Sequence, residues 1–432
     1  MSVRKLRDLM SRVARLEKRA ARIPLQGVDF SGKDLSGKDF SNTDLTGANF
    51  EGANLDTAIF KGSVLAMANV TGASVVEGHL SNADMTGADF SDSDIEGGDL
   101  SDSTLTSANF TGANFVDAVL LRVSADSASF ENANLPSVDF GDSTLTNTRF
   151  FKANLNGADM VDVNLTGAYL FQAQMSNSTL DHSNLTSTNF RESFLVSAQM
   201  NEVDLTDSDL RDARMSQAYL DDSTILRAKL DNADLQWASL TGASCTAASF
   251  TLAKMQHIRA DRCKIADCDL SQAKIEEGLL VGAVCTSTKF IEASMDRVSF
   301  INAHIKDCDF HKAQLTNARF VHANVTTTSF VSAFFHGAVL HEAILKDCDF
   351  TRADLSSVNL TGADLTKSNF FNCKLWGASL VGADFAGANL RGADLSWANV
   401  TMTNFRGATY NSKTVFPTTI SQAQIASMTK TP

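Results

Sequence analysis

Ala388-Asn389-Leu390-Arg391-Gly392-Ala393-Asp394-Leu395-Ser396-Trp397 carries the rule that decides the fold of this chain. A small residue is followed by Asn or Asp, then by a large apolar residue, then by two residues of no fixed kind, and the block begins again. Outward from this stretch the phase never breaks. From Phe30 to Phe405 every fifth residue, 76 in succession, is apolar, mostly Leu, Phe, Met, Ile or Val, with Ala125, Ala260, Cys245 and Cys285 small. Two residues before each centre stands a small side chain, Ala in 42 of the 76 blocks. Two of every five side chains therefore point inward and three outward. A period of five fits neither a 3.6-residue helix nor the two-residue alternation of a strand. It fits a chain that turns a corner every five residues.

Composition agrees with one packing environment used many times. Pro falls to 4 and Trp and Tyr to 3 each, while Phe reaches 28, a bias that points to internal periodicity before any division into globular domains.

This block, at this copy number, resembles the pentapeptide-repeat family, and the resemblance spans residues 26–410. It implies an all-β fold, a right-handed quadrilateral β-helix with four pentapeptides per coil, so that residues 20 apart stack on one face. The sequence contains its own check on the four sides. Of 22 Phe at centres, 13 fall on one 20-residue column running from Phe30, Phe50 and Phe90 to Phe330, Phe350 and Phe370; chance would put about a quarter there. About 19 coils at ~4.8 Å spacing would extend on the order of 90 Å. Each coil buries its apolar face only against its neighbours, so both ends need covers.

Three segments follow. Residues 1–25 are basic and, over 3–23, place Leu6, Leu9, Val13, Leu16, Ala20 and Ile23 on one stripe of a helix that Pro24 stops. That amphipathic helix could lie over the open first coil, join copies into a homo-oligomer as a short coiled coil, or dock on an anionic surface. Lys33 and Lys38 stand at small inward sites, so the first coil is expected to be imperfect. Residues 26–410 are the repeat body. Residues 411–432 are a terminal cap and tail, entered through Thr414-Val415-Phe416-Pro417, with a helical turn or two expected over 421–428. No loop interrupts the repeats, which removes a recognition element common among relatives that protect topoisomerases.

Charge is unevenly spread. The net charge is −13, yet residues 1–25 carry +6, residues 26–210 carry −20, and residues 211–410 are within one charge of neutral. No run of about 18 apolar residues exists, so no membrane span is expected, and the basic start lacks the apolar core of a secretory signal. Cytoplasmic residence is the default expectation.

Catalytic and cofactor chemistry finds no foothold, and no cofactor or metal is expected. All seven Cys fall at inward positions; an odd count without paired CxxC spacing argues for buried thiols. Cys268, Cys308 and Cys348 recur every 40 residues between aspartates, the mark of duplicated two-coil units. His322, His341 and Glu342 should meet on adjacent coils, as a solvated cluster or a weak metal site. No nucleophile elbow, zincin motif, P-loop or dinucleotide fingerprint appears in a suitable context.

The outward residues carry the functional leads. One coil places Asp84, Asp89, Asp94 and Asp99 on its four faces, with Asp92 and Glu96 beside them; one corner column reads Asp102, Arg122, Asp142, Asp162, His182, Glu202, Asp222. Such a density, about one charge per 2 Å, approaches the one per ~1.7 Å of duplex DNA. The family resemblance therefore implies one candidate role, an acidic DNA mimic that binds and modulates a type II topoisomerase, DNA gyrase. The plain alternative is a solvated coat that keeps a large β-body soluble. An acidic body of this kind is not expected to bind nucleic acid itself. Outward aromatics, Phe151 and Phe171 on one face and Trp376 on another, suit protein contacts. Our leading reading is a non-enzymatic protein-binding or structural body with partners not identified by the sequence. The gyrase-directed mimic comes second, and a secreted bacterial effector third.

Overall fold

The computed structural model describes residues 25–432, so the helix expected over 3–23, and the cap or oligomer contact read from it, lie outside the described residues. The described chain forms two compact units, one ending at Asp209 and the other spanning Leu210–Pro432. Each is an all-β solenoid built on the same rule.

The rule is a hydrogen-bond economy. The residue before each apolar centre, often Asn or Asp, bridges in parallel to the residue 20 further on, as in Asn49 to Asn69 to Asp89 in the first unit and Asp349 to Asn369 to Asn389 in the second. The centre's own N–H donates to that partner's carbonyl, Phe90 to Asn109 at 2.7 Å, and the Asn109 N–H returns to the Ala88 carbonyl at 2.9 Å. Buried backbone groups must be paired, and a 20-residue register pairs them. Corners close with a bond from the small residue's N–H to the centre's carbonyl, Ala113 to Phe110 at 3.1 Å. The second corner residue takes a left-handed φ, between 48° and 73°, which explains why Gly, Asn and Asp crowd that position. At Gly112 the reason is also steric, because a Cβ would strike the Asp92 carboxylate of the preceding coil.

On one face of the second unit the bridges lengthen into strands. β1 (Thr224–Leu226), β2 (Ser244–Thr246), β3 (Lys264–Ala266), β4 (Val284–Thr286), β5 (His304–Lys306), β6 (Asn324–Thr326) and β7 (Ile344–Lys346) form one parallel sheet in chain order. Ile225 lies on Cys245 and Cys245 on Ile265. Most of these centres are β-branched, which suits an extended backbone.

The core is a stack of apolar layers. The Phe column read from the sequence is a column of parallel rings: Phe110 to Phe130 at 5.0 Å and Phe130 to Phe150 at 5.2 Å in the first unit, Phe330 to Phe350 and Phe350 to Phe370 at 5.0 Å in the second. Lys33 and Lys38 are exposed although they hold inward-type positions; an ammonium group is too costly to bury unpaired. At the far end, β8 (Thr409–Tyr410) pairs in parallel with β9 (Thr429–Lys430), and α1 (Gln422–Ala426) lies between them in sequence. Ser421 caps α1 through a capping box with Gln424, whose Nε2 also donates to the Val400 and Thr403 carbonyls at 2.8 and 3.1 Å. This side chain closes part of the last open edge.

Candidate interaction surfaces

The ring of aspartates around residues 81–100 has a structural task. Asp84 Oδ1 accepts from the Thr86 N–H at 3.0 Å and its hydroxyl at 2.6 Å. Asp89 does the same for Ser91 and also accepts from Asn109 Nδ2 at 2.9 Å. Asp94 accepts from the Glu96 N–H and from Asn114 Nδ2, and Asp99 from the Ser101 N–H. These half-buried carboxylates hold corners as Asx turns. For Asp84, Asp89 and Asp99 the signal was present in the sequence as Asp followed two residues later by Ser or Thr, and charge counting passed over it. Asp92 and Glu96 stand free of that duty at exposed corners.

The corner column beyond is exposed, but its acids are interrupted by Arg122 and His182. Arg122 grips Asp102 with two bonds, Nε to Oδ1 at 2.7 Å and a terminal nitrogen to Oδ2 at 2.8 Å. That hydrogen bonding holds the Asp102 carboxyl below its usual range and the guanidinium above its own. His182 Nδ1 lies 3.4 Å from Glu202 Oε2. Asp142 and Asp162 follow one another at exposed corners of successive coils, while Asp222 is an exposed corner residue of the second unit.

The aromatics form a tighter group than spacing alone suggested. Phe151 and Phe171 stack at 5.8 Å with 4° between their planes, and Tyr169, over a third exposed at 37%, lies 6.1 Å from Phe171. Lys152 Nζ sits 4.9 Å above Phe151 and the Arg191 guanidinium 6.0 Å from Phe171. Sequence reasoning found the two Phe but missed Arg191, which continues their 20-residue column, and Lys152 and Tyr169, which the coil geometry brings in from neighbouring positions.

In the second unit, Trp376 is 49% exposed and Trp397 82%. Trp237 lies flat on His257 at 3.8 Å; His257 Nδ1 faces Glu277 Oε2 at 3.2 Å, and Glu277 Oε1 accepts from Arg297 at 2.5 Å. Four side chains at 20-residue spacing thus make one outward ladder. The thiols are buried throughout; burial raises Cys268 and Cys308 to about 11 and Cys348 to about 12, which leaves them without thiolate character near neutral pH. His322 and His341 both face Glu342, at 3.4 and 3.3 Å. Among the described residues no group of His, Cys, Asp or Glu is arranged to hold a metal ion, and no helix is long and apolar enough to cross a membrane.

Comparison with known proteins agrees with this architecture. The family model of pentapeptide repeats matches residues 25–62, 65–102, 103–265, 293–331 and 333–407. Among solved structures, HetL, a pentapeptide repeat protein involved in heterocyst differentiation regulation in the cyanobacterium Nostoc, is 24% identical, over 56% of this chain and 94% of its own, with a TM-score of 0.21. A second pentapeptide repeat protein from Nostoc is 31% identical over 24% of this chain and 84% of its own, with a TM-score of 0.23. QnrB1, a plasmid-mediated fluoroquinolone resistance protein, is 15% identical over 44% of this chain and 90% of its own, with a TM-score of 0.30. No curated protein sequence matches the chain.

Proposed function

The chain belongs to the pentapeptide repeat family, and from that premise we propose that it is a non-enzymatic scaffold that binds other proteins through its outward-facing side chains. One observation carries the reading: residues 26–209 hold 27 acidic and only 7 basic residues, on a backbone that displays the outward ones at fixed 20-residue spacing. A fixed, predominantly acidic surface steers and orients a complementary partner. The coil is taken as right-handed, as in the family, and the basic segment 1–25 as a helix that seats on an end or on a second copy. Residence in the cytoplasm goes with this reading.

The test is affinity capture from cytosol at 50 and 500 mM salt, with wild type beside an Asp142→Asn, Asp162→Asn, Glu202→Gln triple variant. A partner bound by wild type at low salt, released at high salt and absent from the variant supports the reading. Identical captures from both proteins would refute it.

A second reading is an acidic DNA mimic acting on DNA gyrase, favoured by Asp142 and Asp162 on successive coils. It requires salt-sensitive gyrase binding and altered supercoiling, both lost when Asp142, Asp162, Glu202 and Asp222 are neutralised. No binding at low salt would end it.

A further inference from the structure

Within the acidic first unit the aromatic group is a local reversal of sign. Of the seven Lys and Arg between residues 26 and 209, three, Arg149, Lys152 and Arg191, border Phe151, Tyr169 and Phe171. Two of these cations lie against ring faces, and among the described residues Arg191 Nε has no hydrogen-bond partner although that atom is buried. Among the described residues Arg149 alone of the three lies within ion-pair distance of an acid, Glu131 at 2.5 Å. Glu192 at the patch edge is engaged by Gln172 Nε2 at 2.8 Å.

We propose that Phe151, Tyr169 and Phe171, with Lys152, Arg149 and Arg191, form a docking site for a short acidic segment of a partner protein that carries apolar side chains. The proposal rests on the scaffold reading but uses a surface of opposite charge to the one that carries it. The rings offer a flat, apolar platform whose spacing is set by the coil ladder, so little side-chain freedom remains to be lost on binding. Aromatic and Arg side chains together are the residue types that dominate binding energy at interfaces. A carboxylate of the incoming segment can pair with Lys152 or Arg191 while its apolar neighbour covers the ring, and excluding water there strengthens both the ion pair and the cation–ring contact. Charge sets the length of the ligand. The unit as a whole carries 27 acidic against 7 basic residues between 26 and 209, which repels an extended polyanion and disfavours single-stranded nucleic acid despite the stacking platform.

The test is fluorescence anisotropy on the full chain with three labelled probes: a 12-residue peptide alternating Glu and Leu, the same peptide with Lys for Glu, and a 20-nucleotide oligothymidine. The acidic peptide should bind, and both Phe171→Ala and a Lys152→Glu, Arg191→Glu double variant should weaken it about tenfold or more. These positions lie on the outward side of the coil, so circular dichroism should show the β-solenoid still folded at the assay temperature. The Asp142→Asn, Asp162→Asn, Glu202→Gln variant should keep this binding, which separates failure here from failure of the acidic-surface reading. Absence of acidic-peptide binding, equal binding of the Lys peptide, tighter binding of the oligonucleotide, or indifference to the patch variants would each overturn the proposal.

Discussion

The two units share one backbone rule and balance charge to different degrees. In a parallel in-register stack, residues 20 apart face each other, and like charges so placed repel. The first unit separates its acids with amides: Asp94 accepts from Asn114, Asn114 from Asn134, and Asn134 from Asn154, all at 2.8–2.9 Å. The second unit, beside amide ladders of its own, more often sets cations against acids at the same spacing: Arg297 with Glu277, Lys312 with Glu292, Lys374 with Asp354. Local polar satisfaction is met in both. Only the first unit is left with a large net charge, and there a cationic aromatic patch stands out from that charge. Folding chemistry alone thus does not require the acidic surface, since the same ladder forms with balanced charge.

The most disruptive challenge to that comparison is to the shared core. Phe130→Ala in the first unit and Phe330→Ala in the second each remove a ring stacked on both sides, at a cost of about 3–5 kcal/mol. Hydrogen exchange after each substitution should show lost protection concentrated in the substituted unit; uniform loss would mean the two do not respond separately. A smaller effect follows from salt. Between 20 and 500 mM NaCl the screening length falls from roughly 20 Å to about 4 Å, so protection of residues 25–209 should rise while that of 210–432 changes little. Equal responses would remove net self-repulsion as the distinction.

The smallest effect is at acid pH. Hydrogen bonding from Arg297 holds Glu277 below the ordinary carboxylate value, and Gln272 followed by Lys312 does the same for Glu292. A lowered folded value means that the unfolded chain takes up the proton first. The contribution is complete above the ordinary carboxylate range and is lost as pH falls through the lowered values. Both groups are exposed, so the change is slight. Glu277→Gln should flatten the fall in melting temperature between pH 5 and pH 3; an unchanged slope would show that the pair contributes nothing.

Much of the fold was legible because it is written in periodic apolar positions. The five-residue phase and the 13 Phe on one column anticipated the parallel rings at Phe110, Phe130 and Phe150. The surface was less legible. Asp84, Asp89, Asp94 and Asp99 looked like an acidic ring when read as charges, yet each holds its own corner through hydrogen bonds to residues two positions on. Phe151, Phe171 and Arg191 share one column at spacing 20 and were open to the same reading, but Tyr169 and Lys152 join them only through side-chain direction.

The sequence by itself determined the repeat, its register of 20 and the identity of the core, because burial of apolar area depends on which residues face inward and periodicity states that directly. Tertiary structure decided what each polar residue does. Whether Asp102 is a free charge or one half of a two-bond pair with Arg122 depends on an ångström-scale approach between coils. Hydrogen bonds and ion pairs fall off steeply with distance and angle, and a repeat pattern does not specify either.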